Sequence, residues 1–189
     1  MNYLAHAFLS NNDDNLLIGN FIADHLRGNN FKNYPTEIIN GIYLHRKIDS
    51  FTDNHLSFKA SKRLFYGNYE RYSGILIDIY FDYFLAKKFT KYSNTSLKEF
   101  CEIVYTTYSN NQHYLPQSSS RFLEYVIKNN IYSAYSSLEG IEKVLFHLSH
   151  RIQHGVMLNE SISIFRENEL ALESNFDLLF SDAVNEFIK

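Results

Sequence analysis

The chain of 189 residues contains one cysteine, two prolines, seven glycines and no tryptophan. A single cysteine excludes an internal disulfide and a cysteine-based zinc site. The scarcity of proline and glycine favours long helices over a β-sandwich with many turns. A basic excess is also missing, since the net charge is −3. That charge argues against nonspecific binding to nucleic acid, which needs a clear surplus of Lys and Arg.

Signals for a membrane are equally scarce. No apolar run reaches the length of a membrane span, and residues 1–6 lack the basic stretch that opens a secretory signal. We therefore expect a protein that contacts no membrane and works in a reducing, cytoplasmic setting. The short catalytic signatures are missing too: there is no Gly-rich phosphate loop, no G-x-S-x-G elbow and no H-E-x-x-H pair.

Apolar residues are abundant, and their spacing is helical. They make up 45% of the chain, with 15 Tyr and 16 Phe, which is enough for one domain over residues 1–189. The periodicity predicts an all-α fold of roughly seven to nine helices. We expect residues 70–91 to form the longest and most apolar helix, and the Glu- and Asn-rich last segment to form a surface helix. The predicted helices cover residues 2–10, 16–27, 35–49, 57–65, 70–91, 97–112, 119–129, 138–153 and 158–187.

Imidazoles and carboxylates occur four residues apart within these apolar helices. His45 and Asp49 share a helix face, and so do Asp78 and Asp82, because residues one turn apart lie above one another. Two carboxylates in an apolar helix repel each other unless positive charge lies between them. Two helices that present such pairs to each other would enclose one or two divalent cations.

Each of these residues also has a purely structural interpretation. Asp24 would pair with Arg27, three residues further along a helix. His6 would be a buried, hydrogen-bonded imidazole. The two carboxylates of the apolar helix would be neutralised by a basic side chain: Arg46, Arg71 or Lys87. The concentration of all these candidates in the first 82 residues favours a common site.

A second histidine stripe lies near the C-terminus. His147, His150 and His154 follow helical spacing and would form another metal-binding face. No carboxylate accompanies them, which favours a structural role. Arg151, beside His150, is a candidate contact for an anion.

Four segments of the chain form a recognisable set. They are residues 1–6 (MNYLAH), 19–24 (GNFIAD), 41–53 (GIYLHRKIDSFTD) and 71–85 (RYSGILIDIYFDYFL). Together they resemble the acyl carrier protein phosphodiesterase family, a divergent branch of the all-helical HD-domain metal-dependent phosphohydrolases. The resemblance covers residues 1 to about 90, and Arg151 is the best anchor in the rest. It implies hydrolysis of holo acyl carrier protein, with release of 4′-phosphopantetheine from its serine, using Mn²⁺ or Mg²⁺.

This resemblance suggests a role for each candidate. His6 would protonate the departing serine oxygen or orient the attacking water. Arg27 and Arg46 would neutralise the nonbridging phosphate oxygens as charge builds. The expected metal ligands are Asp24, His45, Asp49, Asp78 and Asp82.

The implied partner is acidic, so a local basic face is expected on a chain of net charge −3. The candidates lie on the fourth predicted helix and at the end of the fifth: Lys59, Lys62 and Arg63, then Lys87, Lys88 and Lys91. The aromatic excess would either line a channel for the pantetheine arm or fill the core.

Two other functions remain open from the sequence. One is an HD-type phosphohydrolase that acts on a nucleotide or another small phosphoester with the same metal site. The other is a noncatalytic helical module that binds carrier protein. The presence of the whole cluster from His6 to Asp82 favours an enzyme. The sequence leaves the oligomeric state open.

Overall fold

The structure, a computed structural model, describes residues 1–26, 28, 31–152 and 156–188. Helices dominate these residues, which include no β-strand, and the predicted all-α single domain is confirmed. The arrangement is compatible with an HD-like domain. Within the described ranges, no helix is both long enough and apolar enough to cross a bilayer. The α-helices are α1 (Tyr3–Phe8), α2 (Asp14–Ile22), α3 (Thr36–Asn54), α4 (Leu56–Arg63), α5 (Tyr66–Tyr69), α6 (Ser73–Lys87), α7 (Phe89–Tyr92), α8 (Leu97–Asn110), α9 (Gln117–Lys128), α10 (Ile131–Ala134), α11 (Leu138–Ser149), α12 (Ile162–Glu167) and α13 (Glu169–Phe187).

Several predicted boundaries were wrong. Helix α2 ends at Ile22, and Ala23–His25 form a 3₁₀ turn, so Asp24 lies beyond the α-helix. The expected helix over residues 70–91 is divided, and α6 with 15 residues is shorter than α3 and α13, which have 19 each. The last segment is also divided. At Asn168 the side-chain amide donates to the Ile164 carbonyl (2.9 Å) and the backbone leaves helical geometry.

Helix α13 has one exposed face, as expected of a surface helix, and its other face lies in the core. It buries Leu172, Phe176, Leu179 and Phe180, and it packs against α4 and α6. Most of the aromatic excess fills the interior in this way. The Tyr80 ring stacks on Phe165 with centroids 4.4 Å apart. Burying such rings removes large apolar areas from water and holds the helical layers together.

Two glycines allow α2 and α3 to pack with their backbones almost in contact. A Cβ on Gly41 would lie 2.5 Å from the Leu16 carbonyl oxygen and 2.8 Å from the Gly19 Cα. A Cβ on Gly19 would collide with the Ile38 carbonyl. Because neither glycine has a side chain, the two helices approach closely. The residue after Gly19 and the residue one turn after Gly41 then come within hydrogen-bonding distance of each other. This packing brings Asn20 of α2 next to His45 of α3.

Helix α1 is held at its N-terminus by α6. The carboxylate of Asp82, completely buried, accepts hydrogen bonds from the backbone N–H groups of Leu4 (2.8 Å) and Ala5 (3.1 Å). These are first-turn N–H groups with no partner within their own helix. One turn earlier, Asp78 pairs with the Met1 ammonium at 2.7 Å. Carboxylates of α6 thereby fix the position of α1 and of His6 within it.

Candidate metal centre and active site

A cavity of about 320 Å³ opens between the N-terminal helices and α6. Its polar wall carries two imidazoles, two carboxamides, one threonine hydroxyl and four carboxylates, and its apolar wall is mostly aromatic. The polar lining residues are Asn2, His6, Asn20, Asp24, His45, Asp49, Thr52, Asp53 and Asp78, and the aromatic ones are Tyr3, Phe21, Tyr108 and Tyr132.

His6, His45 and Asp49 form a compact group on the floor of this cavity. One potential ligand atom from each lies within 4.8 Å of the other two. The Asp49 carboxylate reaches both imidazoles, with Oδ1 3.2 Å from His6 Nε2 and Oδ2 3.1 Å from His45 Nε2. The two rings stack with centroids 4.3 Å apart. The four-residue spacing of His45 and Asp49 therefore places both side chains on one face, as predicted.

Asn20 fixes the orientation of both imidazoles. Its Oδ1 lies 2.8 Å from His6 Nδ1 and 2.9 Å from His45 Nδ1. Its Nδ2 donates to the His6 carbonyl and to Ser10 Oγ, so the amide cannot be reversed without facing a carbonyl oxygen with another oxygen. An amide oxygen only accepts, so both Nδ1 atoms carry hydrogen. In the neutral rings, both Nε2 lone pairs then point into the cavity.

Asp24 closes the group from the 3₁₀ turn after α2. Its Oδ1 lies 3.1 Å from His45 Nε2, and its side chain is 52% exposed, so it stands on the open side of the cavity. The hydrogen bond with His45 lowers the pKa of Asp24, in spite of partial burial. Asp24 is therefore an anion at neutral pH and faces whatever enters the cavity.

The two imidazoles differ in charge. Burial would lower the pKa of His45, but its hydrogen bonds with Asp24 and Asp49 raise that pKa to about 9. Burial lowers the pKa of His6, and the nearby His45 adds to this effect. Burial would raise the pKa of Asp49, but the hydrogen bond from His45 holds it well below its usual range. At neutral pH the group therefore has one imidazolium, one neutral imidazole and two carboxylates.

The imidazole nitrogens and carboxylate oxygens of this group are suitable ligands for a divalent cation. The unprotonated Nε2 of His6 faces a carboxylate oxygen at 3.2 Å, and two acceptors repel each other unless positive charge lies between them. Two imidazoles and one or two carboxylates are ligands that suit Mn²⁺, whereas Mg²⁺ prefers oxygen ligands alone. The Asn20 contacts supply the outer hydrogen bonds that orient ligating histidines in metal sites.

The two carboxylates of α6 are placed differently from this group. Asp78 lines the cavity but is paired with the Met1 ammonium. Asp82 is not on the cavity wall, because both of its oxygens are used by the backbone of α1. Burial raises the pKa of Asp82 to about 7, against the lowering effect of those hydrogen bonds. Of the five predicted ligands, the structure thus brings Asp24, His45 and Asp49 together with His6. Asp78 lines the cavity outside this group, and Asp82 binds the N-terminus of α1.

The structure does not bring the predicted catalytic residues together in the cavity. Arg46 lies away from the cavity, with its guanidinium donating to the Gly28 carbonyl (3.1 Å) and covering the Phe31 ring. Consecutive helical residues point about 100° apart, so Arg46 cannot share the face of His45. Arg27 lies outside the described residues. Neutral His6 carries its hydrogen on Nδ1, which donates to Asn20, so its Nε2 has no proton to give a leaving group.

The predicted basic face divides in two. Lys87, Lys88 and Lys91 form ion pairs with acidic side chains of α13, at distances of 2.7–3.4 Å. Their charge is locally compensated. Lys59, Lys62 and Arg63 project from α4, which begins three residues after the cavity residue Asp53, and no ion pair to them is found in the described part of the chain. Of the two predicted groups, the α4 group is the one whose positive charge is not offset by an ion pair among the described residues.

The C-terminal histidines do not form a second centre in the described part of the chain. His150 donates from Nδ1 to the Phe146 carbonyl (2.8 Å), and His147 packs edge-on against Tyr125. His154 lies outside the described residues. The sequence places Asn20 with Asp24 in one of the candidate segments but gives it no specific role; its contacts with both imidazoles appear only in the structure.

The geometry predicts separate titrations for the two imidazoles in metal-free protein. In imidazole ¹H–¹⁵N NMR spectra, His45 should titrate at about pH 9 and His6 below its ordinary range, with Nδ1 protonated in neutral His6. Because the folded pKa of His45 is raised, its stabilising effect is complete below about pH 6.5 and is lost as the pH rises through about 9. Titration of both rings together near pH 6.5 would contradict this assignment.

Comparisons with known proteins agree with these motifs. A family model described as acyl carrier protein phosphodiesterase matches residues 1–183. The chain is 34% identical over 180 residues to an acyl carrier protein phosphodiesterase of Enterobacter sp. (strain 638), covering 93% of this chain and 92% of the relative. It is 29% identical over 184 residues to the protein of the same name from Salmonella agona (strain SL483), covering 95% and 90%. No solved structure matches the chain. The chain therefore belongs to the acyl carrier protein phosphodiesterase family, whose members are hydrolases that act on phosphodiesters.

Proposed function

We propose that this protein hydrolyses the phosphodiester of holo acyl carrier protein, releasing 4′-phosphopantetheine and leaving the carrier serine free. We further propose that the reaction depends on Mn²⁺ or Mg²⁺ held by His6, His45 and Asp49, with Asp24 beside them. The observation that carries the proposal is the convergence of both Nε2 atoms on Asp49, with Asn20 fixing the rings from behind. The reducing, cytoplasmic setting expected from the sequence suits a substrate with a free thiol.

A cation bound there would lower the pKa of a water molecule and offset the charge of the phosphate. The protein side chains do the remaining work. His45 must give up the proton at Nε2 before that nitrogen can act as a ligand, and Asp24 lies 3.1 Å away to stabilise either state. Asp24, an anion on the open side of the cavity, is placed to accept the proton that water loses as its oxygen bonds to phosphorus.

The second half of the reaction breaks the bond between phosphorus and the serine oxygen, which takes up a proton. His6 is not the donor, because its two nitrogens face Asn20 and Asp49. We assign His6 to the ligand group instead. The proton that Asp24 accepts can return to the serine oxygen at the same open side, which balances the reaction.

The proposed partner approaches along α4. Acyl carrier proteins are acidic, and Lys59, Lys62 and Arg63 are the predicted basic residues whose charge no acidic neighbour in the described structure offsets. Their helix follows directly from the end of α3 that lines the cavity. A carrier bound there would have its serine close to the cavity mouth.

The test of this function is the intact mass of holo acyl carrier protein after incubation with the enzyme and Mn²⁺, or with EDTA. We expect loss of the phosphopantetheine mass only with the metal. Asp49→Asn should reduce the rate by about 100-fold or more, since it removes a charged ligand. Glu37→Gln, an acidic residue on the same helix outside the cavity, should leave the rate unchanged.

The outcomes separate the proposed function from its alternatives. No mass change with metal bound would indicate a hydrolase of small phosphoesters, and no metal binding would indicate a carrier-binding module. Cleavage that is equally fast in EDTA, or in Asp49→Asn, would contradict the metal-dependent site.

Charge reversal on α4 tests the approach of the carrier. Lys62→Glu combined with Arg63→Glu should raise KM for holo acyl carrier protein about tenfold at low salt, with a smaller effect at high salt where charges are screened. The matched control is Lys98→Glu on α8, an exposed lysine that lies outside the cavity lining. An unchanged KM in the double variant would exclude α4 as the docking face.

A further inference from the structure

A second cavity of about 920 Å³ adjoins the first. The two cavities share Asn2, Tyr3 and Ile75 on their walls, so they meet along this edge. Helices α9 and α11 form the far side, and α6 contributes Ile79. The apolar side chains on these outer walls are half-buried: Phe122, Tyr125, Val144 and Leu148. We call this second cavity the aromatic cleft.

The chemistry of the cleft is opposite to that of the metal centre. Four carboxylates line the first cavity, whereas none of the described residues that line the cleft is acidic. Arg121 and Arg151 are its charged residues. Burial and Asp24 raise the pKa of Tyr3, and the Arg151 guanidinium opposes them, so this cation lies within electrostatic reach of the shared edge. A ligand of the cleft is therefore apolar along its length and neutral or anionic at the end near Tyr3.

A buried polar atom in the cleft wall also lacks a partner. The Nε2 of His25 is buried and makes no hydrogen bond to any described residue. An imidazole with an unused nitrogen suits an amide or hydroxyl group of a ligand.

Size decides which part of the substrate enters. This step rests on the proposed function, in which the scissile phosphate joins a folded carrier domain to a linear arm. A folded domain cannot enter a cavity of about 320 Å³, so only the arm can pass beyond the phosphate. We propose that the aromatic cleft binds the pantetheine arm, with its phosphate at the metal centre. The arm has apolar methyl groups, two amides and no charge, which matches walls of this composition.

Filling the cleft tests the proposal. Val144→Trp places an indole in the open space, whereas Glu142→Trp places the same group on the exposed side of α11. We expect Val144→Trp to lower kcat/KM for holo acyl carrier protein at least about tenfold and to weaken the binding of free 4′-phosphopantetheine, measured by calorimetry, by a similar factor. Affinity for Mn²⁺ should be unchanged in both variants, and Glu142→Trp should behave as wild type.

The outcomes distinguish this proposal from the function on which it rests. If wild type releases 4′-phosphopantetheine and Val144→Trp does so with equal kcat/KM and equal product affinity, the cleft assignment is overturned while the function stands. If wild type releases no product, the function fails and the cleft assignment fails with it. Should Val144→Trp lose its helical circular dichroism, Tyr125→Ala replaces it: removing that wall should weaken product binding, and unchanged binding would overturn the proposal.

Discussion

The site depends on one carboxamide oxygen. Asn20 Oδ1 accepts hydrogen bonds from both His6 and His45, and this shared acceptor turns both Nε2 atoms toward Asp49. The arrangement requires α1, α2 and α3 to pack so closely that side chains of all three are within hydrogen-bonding distance. Gly19 and Gly41 permit that approach between α2 and α3. Asp82 supplies the other constraint, because it holds the N-terminus of α1 and with it the His6 ring.

Charge is divided between two adjoining cavities. Carboxylates and imidazoles line the first cavity, while the aromatic cleft carries arginines and no described acidic residue. In the function that we propose, the phosphate would lie beside a cation in the first cavity and the linear arm would lie along the apolar walls of the cleft. Lysines elsewhere contribute less: those at the end of α6 and in α7 are neutralised by α13.

The sequence alone predicted the features that depend on residues close together in the chain. Helical periodicity indicated the all-α fold, and the four-residue spacing placed His45 and Asp49 on one face. Features that depend on distant segments were not visible. The partners of Asp82 are backbone N–H groups 77 and 78 residues away, which leave no mark in the side-chain pattern. The role of Asn20 was hidden for the same reason, because it appears only when α1 and α3 meet.

The most direct test of this account is an anomalous difference map from crystals grown with Mn²⁺. We expect a peak bounded by Nε2 of His6, Nε2 of His45 and the Asp49 carboxylate, with Asn20 still bonded to both Nδ1 atoms. A peak bound through Nδ1, a peak at Asp82, or no peak at saturating Mn²⁺ would contradict the claim that Asn20 prepares these imidazoles to hold a cation.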